Sequence, residues 1–212
     1  MYHFTRTANL PAIAHFDALL SSRGICSSPD RERRLTAQKI MCGNYEMTIN
    51  PHLKIADAML DSDVTQEQFR DILNRHVFFW PTLQACRKMM DTYTRREPAT
   101  EFAVLRLDAG AFLTDFYDRI KLSKYDSGSS PRYPNRCFYK KSAAMFLPLE
   151  RFGLTDDSLV PGKPSDILEV LVEKEAAPIS PYLQAVYTSR SESVPGKWKK
   201  LWRTYEELQC RS

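Results

Sequence analysis

Leu10, Ile13, Ala14 and Leu20 form one apolar stripe, with Asn9 in N-cap position and Pro11 in the first turn. That pattern predicts a first helix of about three turns, ending before Gly24. Residues 26–38 lose the periodicity and carry Ser27, Ser28 and Pro29, then Arg31, Arg33 and Arg34, which reads as a basic loop on a solvated surface. Thr65 and Gln68 form a capping box ahead of Phe69, Ile72 and Leu73, so a second helix runs to about Asn74. The run Arg75 to Pro81, β-branched and aromatic and closed by proline, predicts a buried strand entering a turn. Leu83, Cys86, Met89, Met90 and Tyr93 return to helical spacing. Phe102–Leu107 is nearly continuous in apolar residues and predicts a central strand, after which Asp108 caps a short helix bearing Phe112 and Phe116.

Further strands are expected at Arg119–Leu122 and Ile167–Glu173, the latter being the strongest, and Phe146-Leu147-Pro148 reads as a return to buried structure. Ser180 and Pro181 are expected to cap another helix, and Trp198, Leu201, Trp202, Tyr205 and Leu208 to line a basic C-terminal helix. Between Ser123 and Ser142 lies a long loop containing Ser127-Gly128-Ser129-Ser130, and loops of that length in compact proteins usually serve function. Strands separated by helices of uneven length imply an α+β fold with a mixed sheet rather than regular β-α-β winding. No internal repeat breaks the 212 residues, which read as a single domain spanning residues 1–212.

Composition narrows this picture. With 43% hydrophobic, 11% aromatic and 26% charged residues, the chain is globular rather than disordered. Thirty basic against 26 acidic residues leave a net charge of +4, a bias that admits an anionic partner without requiring one. The apolar runs are too short for a membrane span, and the N-terminus lacks a secretory pattern, so the expected location is cytoplasmic. Cys26, Cys42, Cys86, Cys137 and Cys210 are scattered without C-x-x-C spacing, and His3, His15, His52 and His76 form no H-x-x-x-H pair. Neither a disulfide framework nor a metal site is expected. Neither G-x-G-x-x-G nor G-x-x-x-x-G-K-[ST] occurs, so any nucleotide must be held by another device.

Three places could carry chemistry. Glu169 alternates with Ile167 and Leu171 on one face of its strand, while Leu168, Val170 and Val172 occupy the other. An ionised carboxylate there must open onto a cleft or find a partner, unless the strand is an edge with a wet face that includes Glu173. Arg75 opens an aromatic strand, where a guanidinium suits a phosphate or carboxylate clamp; it equally suits the negative end of the preceding helix. His3 and Thr5 alternate on an N-terminal strand and so present a ring nitrogen and a hydroxyl on one side.

Tyr2-His3-Phe4-Thr5, then Asn9-Leu10-Pro11-Ala12-Ile13 and Gly24, resemble the opening of the DarT-type ADP-ribosyltransferase toxins, where an H-x-T strand leads into N-L-x-S-I and a G-L turn. Val77-Phe78-Phe79-Trp80 is similar to that family's V-P-F-Y-F strand. Glu169-Val170-Leu171-Val172 with Ile179-Ser180-Pro181-Tyr182-Leu183 resembles its E-V-L-V...V-P-P-E-Y-I segment, which carries the catalytic glutamate. The blocks agree in order along nearly the whole chain. A related group of uncharacterised bacterial proteins shares Tyr2-His3, Asn74-Arg75-x-Val77-Phe78-Phe79-Trp80 and the Ser127-Gly128 loop more closely. Ala12 stands where the toxins have serine, and Gly24-Ile25 comes late. Their arginine lies further upstream than Arg75, so Arg33 and Arg34 compete with it.

The resemblance implies an ADP-ribosyltransferase-like split mixed β-sheet core flanked by helices, with NAD as substrate between its halves. It assigns catalysis to Glu169, with Arg75 as one candidate for the pyrophosphate. His3, Thr5, Tyr2, Asn9, Arg34 and Phe79 become the candidates for holding NAD. Glu169 would stabilise the oxocarbenium-like charge as nicotinamide leaves. The implied acceptor is DNA, RNA or a nucleotide, and the implied partner is an antitoxin. Two alternatives stay open: an enzyme of the same fold that modifies protein or, like RNA 2'-phosphotransferases, removes a phosphate; and a non-catalytic nucleotide- or nucleic-acid-binding module. In the latter, Arg31, Arg33 and Arg34 with Lys197-Trp198-Lys199-Lys200 would supply salt-sensitive affinity.

Overall fold

The structure is a computed structural model that describes residues 1–26 and 32–209. Ser27, Ser28, Pro29 and Arg31 of the basic loop, and Cys210, lie outside the described residues.

Twelve strands and six α-helices occur among those residues. The strands are β1 (Tyr2–Arg6), β2 (Leu19–Leu20), β3 (Gln38–Cys42), β4 (Tyr45–Ile49), β5 (His76–Phe79), β6 (Phe102–Leu107), β7 (Ile120–Ser123), β8 (Phe146–Pro148), β9 (Glu169–Glu173), β10 (Glu175–Ala176), β11 (Leu183–Tyr187) and β12 (Trp202–Arg203). The helices are α1 (Leu10–Phe16), α2 (Ser22–Ile25), α3 (Gln66–Asn74), α4 (Leu83–Arg96), α5 (Ala109–Asp115) and α6 (Tyr205–Gln209). Two four-stranded sheets dominate, in the orders β1-β6-β11-β12 and β5-β9-β7-β8. The first mixes directions, since β11 and β12 run parallel; in the second every pairing is antiparallel. The sheets touch at one bridge, where the Tyr2 and Trp80 backbones exchange hydrogen bonds of 2.9 and 2.8 Å.

β6 and β9 read as unbroken apolar runs because both of their faces are covered. Ala103, Leu105 and Leu107 of β6 join Val77, Phe79, Val170, Val172, Ile120 and Leu122 of the second sheet in the largest core, with α1 and Phe112 of α5. Phe102 and Val104 turn the other way, onto Phe4, Trp80 and Cys86 and Tyr93 of α4. Leu171 of β9 packs on Phe146, Met59 and Phe69 of α3 in a third cluster. Glu169, two residues before Leu171, shares this outer face.

The capping box of α3 is formed as expected, Thr65 Oγ1 accepting from the Gln68 N–H at 3.1 Å and Gln68 Oε1 from the Thr65 N–H at 2.9 Å. Asp108 caps α5 through the Ala111 N–H at 3.1 Å.

Three expectations are corrected. The first helix stops at Phe16, where Asp17 adopts left-handed φ 52°, and the chain then spends Leu19–Leu20 pairing with β10. Asn9 holds the N-cap position as expected, but its amide makes no capping bond and instead brackets the Thr48 backbone, Nδ2 donating to the carbonyl (3.0 Å) and Oδ1 accepting from the N–H (2.8 Å). After a single 3-10 turn at Ser180–Tyr182 the chain enters β11, so the predicted helix is a strand. The C-terminal stripe is divided among a 3-10 stretch (Gly196–Leu201), the strand β12 and the five-residue helix α6, so no single helix carries it. Residues 38–49, for which the apolar periodicity gave no element, form the β3–β4 hairpin around Gly43 at φ +58°, and its Met47 and Ile49 are buried.

Candidate active site

Glu169 opens β9. Its register partner on β7 is Ser123, and continuing the pairing of β5 by one residue sets Trp80 on its other side. The side chain is 1% exposed. One carboxyl oxygen, Oε2, accepts from the Ser127 N–H at 3.2 Å; the buried Ser127 hydroxyl stands beside the same carboxyl with no well-formed hydrogen bond. Burial, and then the nearby Asp126 carboxylate, pushes the group up from the usual 4.5 to about 8. Of the two readings open in the sequence, the structure shows a buried carboxyl at a cleft, not an edge strand's wet face.

Ser127 belongs to a tightly made turn. Asp126 Oδ1 accepts from the Ser129 N–H at 3.0 Å and Oδ2 from its hydroxyl at 2.7 Å. Beneath it, Lys141, fully buried, directs its ammonium at the carbonyls of Asp126, Ser127 and Ser129.

The Glu169 carboxyl reaches a cleft that His3, Thr5, Asn9 and Arg34 also line. His3 Nδ1 lies 2.8 Å from the Phe78 carbonyl, which can only accept, so Nδ1 carries the proton and Nε2 is left as an acceptor. Burial lowers the ring's pKa to about 4, so it stays neutral near pH 7. Thr5 follows on the same side of β1, with 7% of its surface exposed. Arg34 is held in the lining by its partners: Nε donates to the Asn50 carbonyl (3.2 Å) and Nη2 to Asn74 Oδ1 (3.1 Å). His52 joins them, Nδ1 accepting from the Arg34 N–H (2.9 Å) and Nε2 donating to Asn74 Oδ1 (2.9 Å). Its burial also brings it down to about 4. Arg70 lines the same cleft, while Met47, Ile49, Leu73 and Phe78 supply apolar surface. The cleft thus offers a hydrogen-bond acceptor, a guanidinium and a carboxyl within one lining.

Three assigned residues lie elsewhere. Arg75 is exposed at the C-terminus of α3 and pairs with Asp71 one turn back, which is the helix-end role. Tyr2 alternates away from His3 and packs with Phe4 and Trp80 over α4. Phe79 is wholly buried, its ring 5.0 Å from Phe112, and belongs to the main core. Its neighbours Phe78 and Trp80 face the cleft instead. Strict alternation along His76-Val77-Phe78-Phe79-Trp80 would have found this, because the buried Val77 fixes the face of Phe79. Lys141, Asn74 and His52 had no local sequence signal, since what marks them is partners distant in the chain.

A second hollow adjoins the first. Trp80, Met89 and Glu169 line both, and the second adds Lys88, Lys124, Tyr125, Arg132 and Tyr139. Tyr125 and Tyr139 stack at 3.9 Å between centroids and 8° between planes. On the nearby surface Phe138 is 84% exposed, and Arg132 and Arg136 both lie over the Tyr133 ring. Among the described residues no three His, Cys, Asp or Glu side chains gather as a metal site. No helix there is long and apolar enough to cross a membrane.

Residues 1–183 match a family of unknown function, DUF7002. No curated protein and no solved structure matches the chain.

Proposed function

The chain belongs to DUF7002, a family of unknown function, and from the site together with the sequence resemblance we propose that it is an NAD-dependent ADP-ribosyltransferase. The observation that carries the reading is Glu169: one buried carboxyl shared by a cleft lined by His3, Thr5 and Arg34 and a hollow lined by cations and aromatic rings. Two separate four-stranded sheets, linked along their edges by the Tyr2–Trp80 bridge, fit the split core that the sequence resemblance implies, and the missing glycine motifs fit a cleft that uses side chains instead.

The cleft residues suit NAD. His3 Nε2 and the Thr5 hydroxyl accept or donate hydrogen bonds to a ribose or the carboxamide, and Arg34 neutralises the pyrophosphate. Asn9, committed to Thr48, shapes the cleft rather than binding. NAD supplies the activated N-glycosidic bond, whose electron pair departs with nicotinamide. Glu169 in its ionised form then faces the positive charge developing on the ribose and stabilises it, a preorganised effect worth about 3 kcal/mol. An acceptor nucleophile in the second hollow forms the new bond to that carbon and passes its proton to solvent water. Lys88, Lys124 and Arg132 with the stacked tyrosines favour a base attached to phosphate, so the acceptor class is nucleic acid or nucleotide. The proposed setting is the cytoplasm, with a toxin's need for an antitoxin.

One observation favours a second reading. A Glu169 carboxyl held protonated to about pH 8 serves as a hydrogen-bond donor as readily as a charge stabiliser, which is what a non-catalytic NAD-binding module would need. Isothermal titration with NAD, paired with chromatographic detection of nicotinamide, separates the two. Binding with nicotinamide release supports the transferase; binding without it at pH 8.5 supports the module; the absence of binding refutes both.

A further inference from the structure

The fold keeps an expensive group behind Glu169. Lys141 has no exposed surface, and its ammonium is 2.5 Å from the Asp126 carbonyl, 2.9 Å from that of Ser127 and 2.6 Å from that of Ser129. All three N–H donors of an ammonium are thereby used on backbone carbonyls. Burying such a charge costs several kcal/mol unless its partners are well placed, and an apolar side chain of similar length would avoid that cost. What the cation alone provides is the convergence itself: three carbonyl oxygens aimed at one point repel each other without a positive charge between them.

The base of this clamp is anchored independently of the loop. The Lys141 N–H donates to the Met59 carbonyl at 2.7 Å, and its own carbonyl accepts from the Asp61 N–H at 3.1 Å. Ser130 Oγ accepts from the Ala56 N–H at 2.7 Å, tying the far end of the turn to the same segment. The turn so fixed is the partition between the two clefts, Gly128 facing one and Asp126, Ser129 and Ser130 the other. From it the Ser127 N–H reaches Glu169.

We propose that Lys141 is the positioning residue for Glu169, gathering the Asp126, Ser127 and Ser129 carbonyls so that the Ser127 N–H is held against the carboxyl and the wall between the two clefts keeps its shape. This rests on Glu169 being the catalytic carboxylate. Lys141 touches neither cleft and acts through the turn. The charged and titratable groups around Glu169 are Asp126 on the turn, Lys141 beneath it and Tyr139 from the following segment; the Ser127 amide and hydroxyl supply its hydrogen bonding.

The test uses the full chain with Lys141→Met and Lys141→Arg. Two readouts are taken on each: steady-state nicotinamide release, and the titration of the Glu169 side-chain carbonyl carbon followed by ¹³C NMR. In Lys141→Met, kcat falls about 10-fold or more while KM for NAD stays within about twofold, because the cleft wall at His3 and Arg34 is untouched. The Glu169 midpoint moves above its wild-type value, since both the cation and the Ser127 N–H are lost. Lys141→Arg keeps the charge but spreads its donors in a plane, and its kcat falls by a smaller factor. A folded Lys141→Met protein with unchanged kcat and unchanged Glu169 midpoint overturns the proposal. If that variant does not fold, wild-type values of both quantities in Lys141→Arg overturn it instead. Should Glu169→Gln leave nicotinamide release intact while Lys141→Met still shifts the Glu169 titration, the catalytic reading fails and the positioning stands.

Discussion

Glu169 couples protonation to both activity and stability. Its pKa in the folded chain is raised from 4.5 to about 8, so the stability that goes with its neutral form is complete below pH 4.5 and lost as pH rises through about 8. Glu169→Gln keeps a neutral side chain of the same size, so its melting temperature, measured from pH 5 to pH 8.5, gains steadily on that of the wild type. Activity runs the other way, because the ionised form faces the developing charge: kcat/KM for NAD rises with pH to a midpoint near 8. A flat profile, or one that falls over that range, contradicts the assigned role. His3 and Arg75 give a paired contrast. His3→Ala removes the Nε2 acceptor and raises KM for NAD about 10-fold, worth about 1.4 kcal/mol. Arg75→Ala breaks an exposed pair with Asp71 and changes stability by under about 0.5 kcal/mol, with kcat/KM for NAD within about twofold. If Arg75→Ala lowered NAD affinity instead, the pyrophosphate arginine would have to be reassigned from Arg34.

At the scale of elements, α3 sets the height of Asn74 and hence the wall that Arg34 and His52 share. Thr65→Ala removes the acceptor for the Gln68 N–H and should lower stability by about 1 kcal/mol in urea unfolding, while Thr65→Ser should not. Local signals made elements like this one legible: the capping box, the Asp108 cap and the doubly covered strands β6 and β9 all sit where the residue pattern placed them. Where tertiary pairing overrode local preference, the sequence misled. Leu19–Leu20 continues a helical stripe but is claimed by β10, and Ser180-Pro181 begins a 3-10 turn that feeds β11. The hairpin β3–β4 had a usable signal in Gly43-Asn44 followed by alternating Tyr45, Met47 and Ile49. In the C-terminal tail Trp198, Leu201, Trp202 and Tyr205 are spaced like one helical stripe. In the structure Trp198 is buried, its Nε1 donating to Ser180 Oγ at 3.0 Å, and Lys197 pairs with Asp17 at 3.4 Å.

For the molecule as a whole, the cleft gathers His3, Arg34, Asn74 and Glu169, which are far apart in the chain. This is why the candidate site was half legible. His3, Thr5 and Glu169 lie on strands whose alternation the sequence displays, whereas Lys141, Asn74 and His52 owe their places to long-range packing. The central claim is that Glu169 drives transfer of an ADP-ribosyl group from NAD. The most direct measurement is transfer of label from adenylate-labelled NAD by wild-type and Glu169→Gln protein at pH 8.5, with DNA, RNA and protein supplied as separate acceptors. The account predicts label in a nucleic-acid pool with the wild type and a loss of about 100-fold or more with Glu169→Gln. Equal transfer by both proteins, or no transfer to any pool, would contradict it.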